Sequence, residues 1–408
     1  MTHEQPIWIT GVGAVSPLGC DFAEISASLL AGKSAIRPVA GFEVGDHPCR
    51  IAGQVLLPEC PPEIDAIASD GACPLVQCSK WCGLKSLKDA GLWAERGRLR
   101  IGLVLGMAAE SMSHWDADIR RGGDYIFDAK RSRPSTVDVA ARALELNGPT
   151  MSVAAACASG NHALAQACDW LRMGWVDVCL AGACDMGVTP YSLASFGNLR
   201  ALSRRNDAPT EAVRPFDRDR DGMVLGEGGA IFVLERADDA QARGRDAYAE
   251  VAAVGMTSDA YHLVIPSPDS THSVAAMRQA LRMAELNPED VDYVNAHATG
   301  TPVGDACEAR ALQAVFGSHC PNVPVSATKS MTGHVLGAAA AIEALACLTA
   351  MTHHAIPPTI NLDHPDPECE LRHVANTAEE HDVRIAMSNS FGFGGHNTSL
   401  LLRHVTAA

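Results

Sequence analysis

The sequence predicts a layered α/β protein made of two similar halves, and three observations carry that prediction. Apolar strand-like runs alternate with helical patterns along the chain, the pattern of strands packed between helices. At 408 residues the chain exceeds the size at which a single hydrophobic core keeps growing, so two units are expected. Each half also repeats one local order: a strand, an elbow of small residues and an Ala-rich helix, around Cys157 in the first half and His334 in the second. The halves are set at residues 1–246 and 247–408.

Residues 7–9 read as a short strand that ends in a glycine-rich turn. The turn fails the dinucleotide fingerprint, because Ser16 stands where the third glycine belongs and Pro17 follows. Residues 21–31 read as a helix capped by Asp21 and stopped by Gly32. A loop with short strands (41–62), a helix (75–90, stopped by Gly91) and a buried strand (101–105) follow. Residues 120–133 are irregular and basic, and a helix starts at Pro134-Ser135-Thr136. After Cys157 the spacing of Ala163, Leu164, Ala167 and Leu171 gives one apolar helical face. A strand (176–183), a long polar loop (194–221), a strand (223–234) and a short helix (238–245) complete the first half. The second half reads strand 248–254, helix 274–286, strand 291–296, helix 306–316, strand 323–326, a buried helix over 335–351, and strands 384–388 and 398–402.

Composition narrows the function. The formal net charge is −16 and no run of five basic residues occurs, which argues against nucleic-acid binding. The fourteen cysteines are scattered without a C-x-x-C pair, so neither a disulfide framework nor a zinc site is expected, and reduced thiols point to the cytoplasm. The most apolar stretch, 335–351, is interrupted by Glu343 and is shorter than a membrane span. No membrane insertion is expected.

Cys157 lies in S-V-A-A-A-C-A-S-G, between a β-like run and a helical pattern. A thiol there is near a helix N-terminus, which favours thiolate, and small neighbours leave room for a carbonyl. A buried structural cysteine fits the same stretch equally well. Three further stretches place polar groups where a core would not want them: N-A-H-A-T-G-T-P around His297, S-A-T-K-S-M-T-G-H ending at His334, and the glycine-rich N-S-F-G-F-G-G-H-N at 389–397. Two histidines and a lysine on glycine-punctuated elbows favour the nucleophile.

Taken together, A-C-A-S-G, N-A-H-A-T-G-T, K-S-M-T-G-H-V-L-G-A and N-S-F-G-F-G-G-H-N resemble the elongating β-ketoacyl-acyl-carrier-protein synthases (KAS I/II type, closest to KAS II) from about residue 7 to 403. The resemblance implies a thiolase-like fold with duplicated halves in five layers, αβαβα, and a homodimer. It implies an acyltransferase of fatty-acid or polyketide-like synthesis, in which Cys157 takes an acyl group from acyl carrier protein. His297 and His334 would stabilise the enolate that malonyl carrier protein gives on losing carbon dioxide. The backbone N–H groups of Cys157 and Phe393 would form the oxyanion hole. Lys329 and Glu343 would hold the histidines electrostatically, with Asp305 and Glu308 pairing with Lys329. Thr299 and Thr301 would bind the phosphopantetheine arm, and Phe391 and Phe393 would gate the cysteine. No cofactor is implied beyond the carrier's phosphopantetheine.

Some positions depart from the family pattern. Arg131, Ser132 and Arg133 stand where apolar residues are common, and Met107 stands at the expected gate of the acyl pocket, where it would limit depth. Val264 and its neighbours replace a usual hydroxyl residue, and 64–73 lacks a basic run for the acidic carrier. Arg200, Arg204 and Arg205, with Arg131 and Arg133, are the candidate replacements. A non-catalytic partner subunit, like a chain-length factor, is the alternative, but such subunits typically lose the cysteine. A thiolase would carry a second cysteine in the C-terminal glycine loop, and 392–397 has none.

Overall fold

The computed structural model describes residues 5–65, 73–119, 122–123 and 135–405. Eleven strands form one sheet: β1 (Ile7–Val15), β2 (Ile101–Gly106), β3 (Thr150–Val153), β4 (Val178–Met186), β5 (Glu227–Arg236), β6 (Ala249–Ser258), β7 (Tyr293–Asn295), β8 (Pro324–Ser326), β9 (Arg372–His373), β10 (Ile385–Gly392) and β11 (His396–Arg403). Their spatial order is β9-β8-β7-β10-β11-β6-β1-β5-β4-β2-β3. The first-half strands lie on one side of the β1–β6 junction and the second-half strands on the other. The junction itself is short, Trp8 against Glu250 and Ile9 against Ala249.

Among the described residues, nine helices of eight or more residues frame the sheet: α1 (Phe22–Leu30), α2 (Pro74–Asp89), α3 (Glu110–Ile119), α4 (Thr136–Ala143), α5 (Ser159–Arg172), α6 (Pro190–Asn198), α7 (Thr271–Met283), α8 (Pro302–Phe316) and α9 (Ala339–His353). Helices α5 and α9 touch strands of both halves and each other, and so make the central layer. Helix α2 covers β1, β5 and β4 on one outer face, and α7 covers β6 and β11 on the other. The result is the αβαβα sandwich expected from the sequence.

Glycine decides two close approaches. Strand β1 runs six residues beyond the predicted end, through Gly11 and Gly13, because a helix passes directly over it. A Cβ at Gly13 would stand 1.9 Å from the Cys82 carbonyl oxygen of α2. What reads as a turn is therefore a strand thinned for packing. Likewise a Cβ at Gly160 would meet the backbone nitrogen of Ala341 at 2.8 Å, so α5 and α9 meet almost backbone to backbone.

The predicted cap holds: Asp21 accepts a hydrogen bond from the Glu24 N–H at 2.9 Å. The polar loop predicted from residue 194 instead begins inside α6, whose N-cap Thr189 and following Pro190 set its start. Helix α8 starts four residues early, at Pro302. The basic segment with Arg131 and Arg133 lies outside the described residues. One stretch, Leu336–His353, is long and apolar enough to cross a membrane, but 89% of it is buried inside the protein. It contains α9, the core helix that touches β10, β5 and α5.

Candidate active site

Cys157 sits between β3 and α5, two residues ahead of the helix. The elbow is tight: Ala156 takes φ +48, and the Ser159 hydroxyl bonds both the Ala155 N–H and the Ala156 carbonyl, at 2.9 and 2.6 Å. From the other half, the Ser390 hydroxyl donates to the Cys157 carbonyl at 2.8 Å. A Cβ at Gly392 would stand 2.8 Å from the Ala155 carbonyl oxygen, so the end of β10 lies against the elbow. The stretch 393–395 is the tip of the β10–β11 hairpin, and Gly394 and Gly395 take φ +82 and +81 there.

The two histidines arrive from the second half. His297 follows β7, and Glu308 on α8 holds its loop by accepting the N–H groups of His297 and Ala298 at 2.9 and 2.7 Å. His334 ends the segment after the short helix Lys329–Thr332. Its N–H donates to the Val224 carbonyl at 2.7 Å, and its carbonyl accepts from Gly226 at 2.8 Å. The sequence elements far apart in the chain thus converge: the Cys157 sulfur is 3.0 Å from His334 Nε2, and the rings of His297 and His334 meet edge to face at 5.5 Å.

Electrostatics set the protonation states. Burial, then the Lys329 charge, hold both histidines well below 6.5, and His334 also depresses His297. Both rings are therefore neutral at pH 7. Lys329 Nζ lies 3.2 Å from His297 Nδ1 and also bonds the His297 carbonyl and Glu343. An ammonium only donates, so Nδ1 accepts and the ring proton sits on Nε2. Burial pushes the Cys157 thiol up to about 11, with the Lys329 charge and the Phe393 N–H pulling the other way. The expected thiolate preference at the helix N-terminus is outweighed by desolvation, and the resting group is the thiol.

The backbone N–H groups of Phe393 and Cys157 both act to lower the thiol against the effect of burial. Cys157, His297 and His334 also border a cavity of about 340 Å³, whose lining includes the exposed Arg200. Thr299, Thr301, Phe391 and Phe393 line it as well, with the two threonine hydroxyls 3.1 Å apart.

Three expected placements change. Asp305 does not pair with Lys329: it takes the N–H groups of Phe216 and Gly300 and faces Arg220 at 3.7 Å. It holds the 299–301 loop instead. Glu308 feels the Lys329 charge but spends its oxygens on backbone N–H groups, while Glu343 makes the ion pair. Burial raises all three carboxyls, Asp305 to about 6, Glu308 to about 7 and Glu343 to about 8. Met107 is buried in the core shared with α2 and α4 and, among the described residues, is not part of the cavity lining. Of the three arginines, Arg200 reaches the cavity mouth, Arg204 is exposed, and Arg205 is bound to the Asp219 carbonyl and to Asp221.

One supporting residue escaped the sequence reading. Asp185, at the end of the apolar strand β4, is fully buried and accepts the N–H groups of Ala108, Ala109 and Gly337 at 2.9, 2.9 and 2.7 Å. It ties the first half to the turn just after His334. A lone acid closing a buried strand was its only signal.

Residues 4–240 match the family described as "Beta-ketoacyl synthase, N-terminal domain", and residues 248–363 match its "C-terminal domain". The chain is 38% identical over 413 residues to "3-oxoacyl-[acyl-carrier-protein] synthase 2" of Coxiella burnetii, covering 99% of each chain. It is 36% identical over 416 residues to "Nodulation protein E" of Rhizobium sp. (strain N33), covering 98% of this chain and 100% of the other. Among solved structures it resembles a type II polyketide ketosynthase in complex with its acyl-carrier protein. That likeness has a TM-score of 0.87 and 28% identity, and covers 99% of this chain and 100% of that one. Agreement across both halves and nearly the whole length settles descent: the chain belongs to the beta-ketoacyl synthase family.

Proposed function

We propose that the protein is a β-ketoacyl-acyl-carrier-protein synthase that joins a Cys157-bound acyl group to malonyl carrier protein. The observation that carries this reading is the 3.0 Å approach of the Cys157 sulfur to His334 Nε2, with His297 beside it on a cavity border. In the first step Cys157 attacks the acyl thioester and the carrier's thiol leaves with the proton that Cys157 loses. The N–H groups of Cys157 and Phe393 bind the oxyanion.

In the second step the malonyl thioester loses carbon dioxide. His297 presents Nε2–H to the thioester oxygen, and His334, also neutral, supplies the second donor, so the electron pair left on carbon is held as an enolate. That carbon attacks the acyl carbonyl, and the Cys157 sulfur leaves and regains a proton. Thr299 and Thr301 hold the pantetheine arm, and the cavity excludes the water that would quench the carbanion. Lys329 and Glu343 hold His297 rather than react.

The carrier is anionic in this reading, and Arg200 at the cavity mouth, with exposed Arg204, meets it. The fourteen free cysteines support a cytoplasmic setting. Strand β3 ends the sheet with one unpaired edge and exposed Thr150, Met151 and Ser152, which supports pairing with a second copy across that edge. Light scattering is expected to give a dimer, and a proline in place of Met151 is expected to weaken it. A monomer at working concentration refutes the pairing.

The function is tested by intact-protein mass spectrometry after incubation with a panel of acyl carrier proteins. One acyl mass is expected on Cys157 and none on Cys157→Ala. Failure of every donor to load the wild type overturns catalysis and favours a partner subunit.

A further inference from the structure

The three side chains that carry the condensation also meet the demands of a different ligand class. The Cys157 sulfur and one ring nitrogen from each of His297 and His334 lie within 4.8 Å of one another, all buried. A tetrahedral Zn2+ with sulfur at about 2.3 Å and imidazole nitrogen at about 2.0–2.1 Å sets its ligand atoms about 3.4–3.6 Å apart. The present 3.0 Å between sulfur and His334 Nε2 is about half an ångström short of that value. One thiol and two imidazoles suit borderline divalent cations, and all three side chains border the cavity.

Lys329 opposes this. Its three N–H donors are spent on His297 Nδ1, the His297 carbonyl and Glu343. With Nδ1 accepting, Nε2 carries the ring proton and has no lone pair for a metal. A ligating histidine normally has the reverse arrangement, an acceptor facing its other ring nitrogen. Lys329 puts a donor there, and a positive charge beside the entering cation.

We propose that Cys157, His297 and His334 form a latent site for a thiophilic divalent cation such as Zn2+, and that Lys329 prevents the site from closing. Binding exchanges the Cys157 S–H bond for a sulfur–metal bond and releases that proton to solvent. The His297 ring proton moves from Nε2 to Nδ1, and nothing is oxidised or reduced.

Cobalt(II) tests this in the full-length protein, because a thiolate ligand gives it a charge-transfer absorption. Lys329→Gln puts an amide oxygen where it can accept from Nδ1–H. It is expected to bind one Co2+ about 10- to 100-fold more tightly than wild type, with the thiolate band. Lys329→Met removes the charge without adding an acceptor, and its affinity is expected to fall between the two. Zn2+ should displace the cobalt, and adding Cys157→Ala should abolish the band. The proposal fails if a folded Lys329→Gln or Lys329→Met protein binds no more tightly than wild type. It also fails if the band survives Cys157→Ala, which would place the metal on other thiols such as the buried Cys78, Cys82 and Cys184 group. No acyl donor enters the experiment, so its outcome is independent of the condensing activity.

Discussion

Replacing His297 with alanine is expected to slow malonyl-thioester decarboxylation about 10²- to 10³-fold, the usual effect of removing one preorganised donor from a developing oxyanion. His334→Ala should do the same. Neither change should prevent acyl loading to the same degree, because the N–H groups of Cys157 and Phe393 remain. Carbon dioxide release from malonyl carrier protein, measured apart from loading, checks the split. Unchanged decarboxylation in both variants would sink the donor assignment.

The pH dependence follows in sign. The donors act as neutral rings, and burial and the Lys329 charge lower both histidines well below 6.5. The active form therefore persists as pH falls past 6.5, and the acid limb of decarboxylation lies lower. Removing the Lys329 charge takes away the second cause but leaves burial, so the limb should move only part of the way up.

Loss of the Asp185 carboxyl is expected to be the most damaging single change to the fold. Asp185→Ala leaves three N–H groups without their acceptor, those of the buried Ala109 and Gly337 and the half-buried Ala108. Each such orphan costs about 1–3 kcal/mol, against a total stability of about 5–15 kcal/mol for a typical domain. Denaturant midpoints should show a loss of several kcal/mol for alanine and a smaller one for Asp185→Asn, which keeps an acceptor oxygen.

Burial raises Asp185 from 3.8 to about 7 in the folded protein. A folded value above the unfolded one means the carboxyl's contribution is complete below 3.8 and is lost as pH rises through about 7. The advantage of wild type over Asp185→Asn should narrow across that interval. An advantage that widens would show that the three N–H groups, and not burial, control the carboxyl.

The site was legible where chemistry needs unusual residues in unusual places. A cysteine among alanines, a histidine closing an apolar strand, a second on a glycine-punctuated elbow and the Phe-Gly-Phe-Gly-Gly run at 391–395 stand out because a core would not select them. Long-range partners were not legible. Nothing in the neighbourhood of Asp305 signals Arg220, 85 residues away in the chain, and nothing around Met107 signals that it joins the core cluster shared with α2 and α4. Strand β1 was cut short for a related reason: the sequence shows glycine, while the helix that requires it is 69 or more residues distant. Helix α6 was hidden by a polar, small-residue stretch whose start is set by Thr189 and Pro190.

The close meeting of α5 and α9 at Gly160 and Ala341 has a mechanical consequence. One helix begins two residues after the nucleophile, and the other begins five residues after His334. The distance across which sulfur and imidazole face each other is therefore gauged from beneath, by how near two main chains can come. A bulkier side chain at that crossing would act like a shim under a caliper. It would part the jaws without touching either of them.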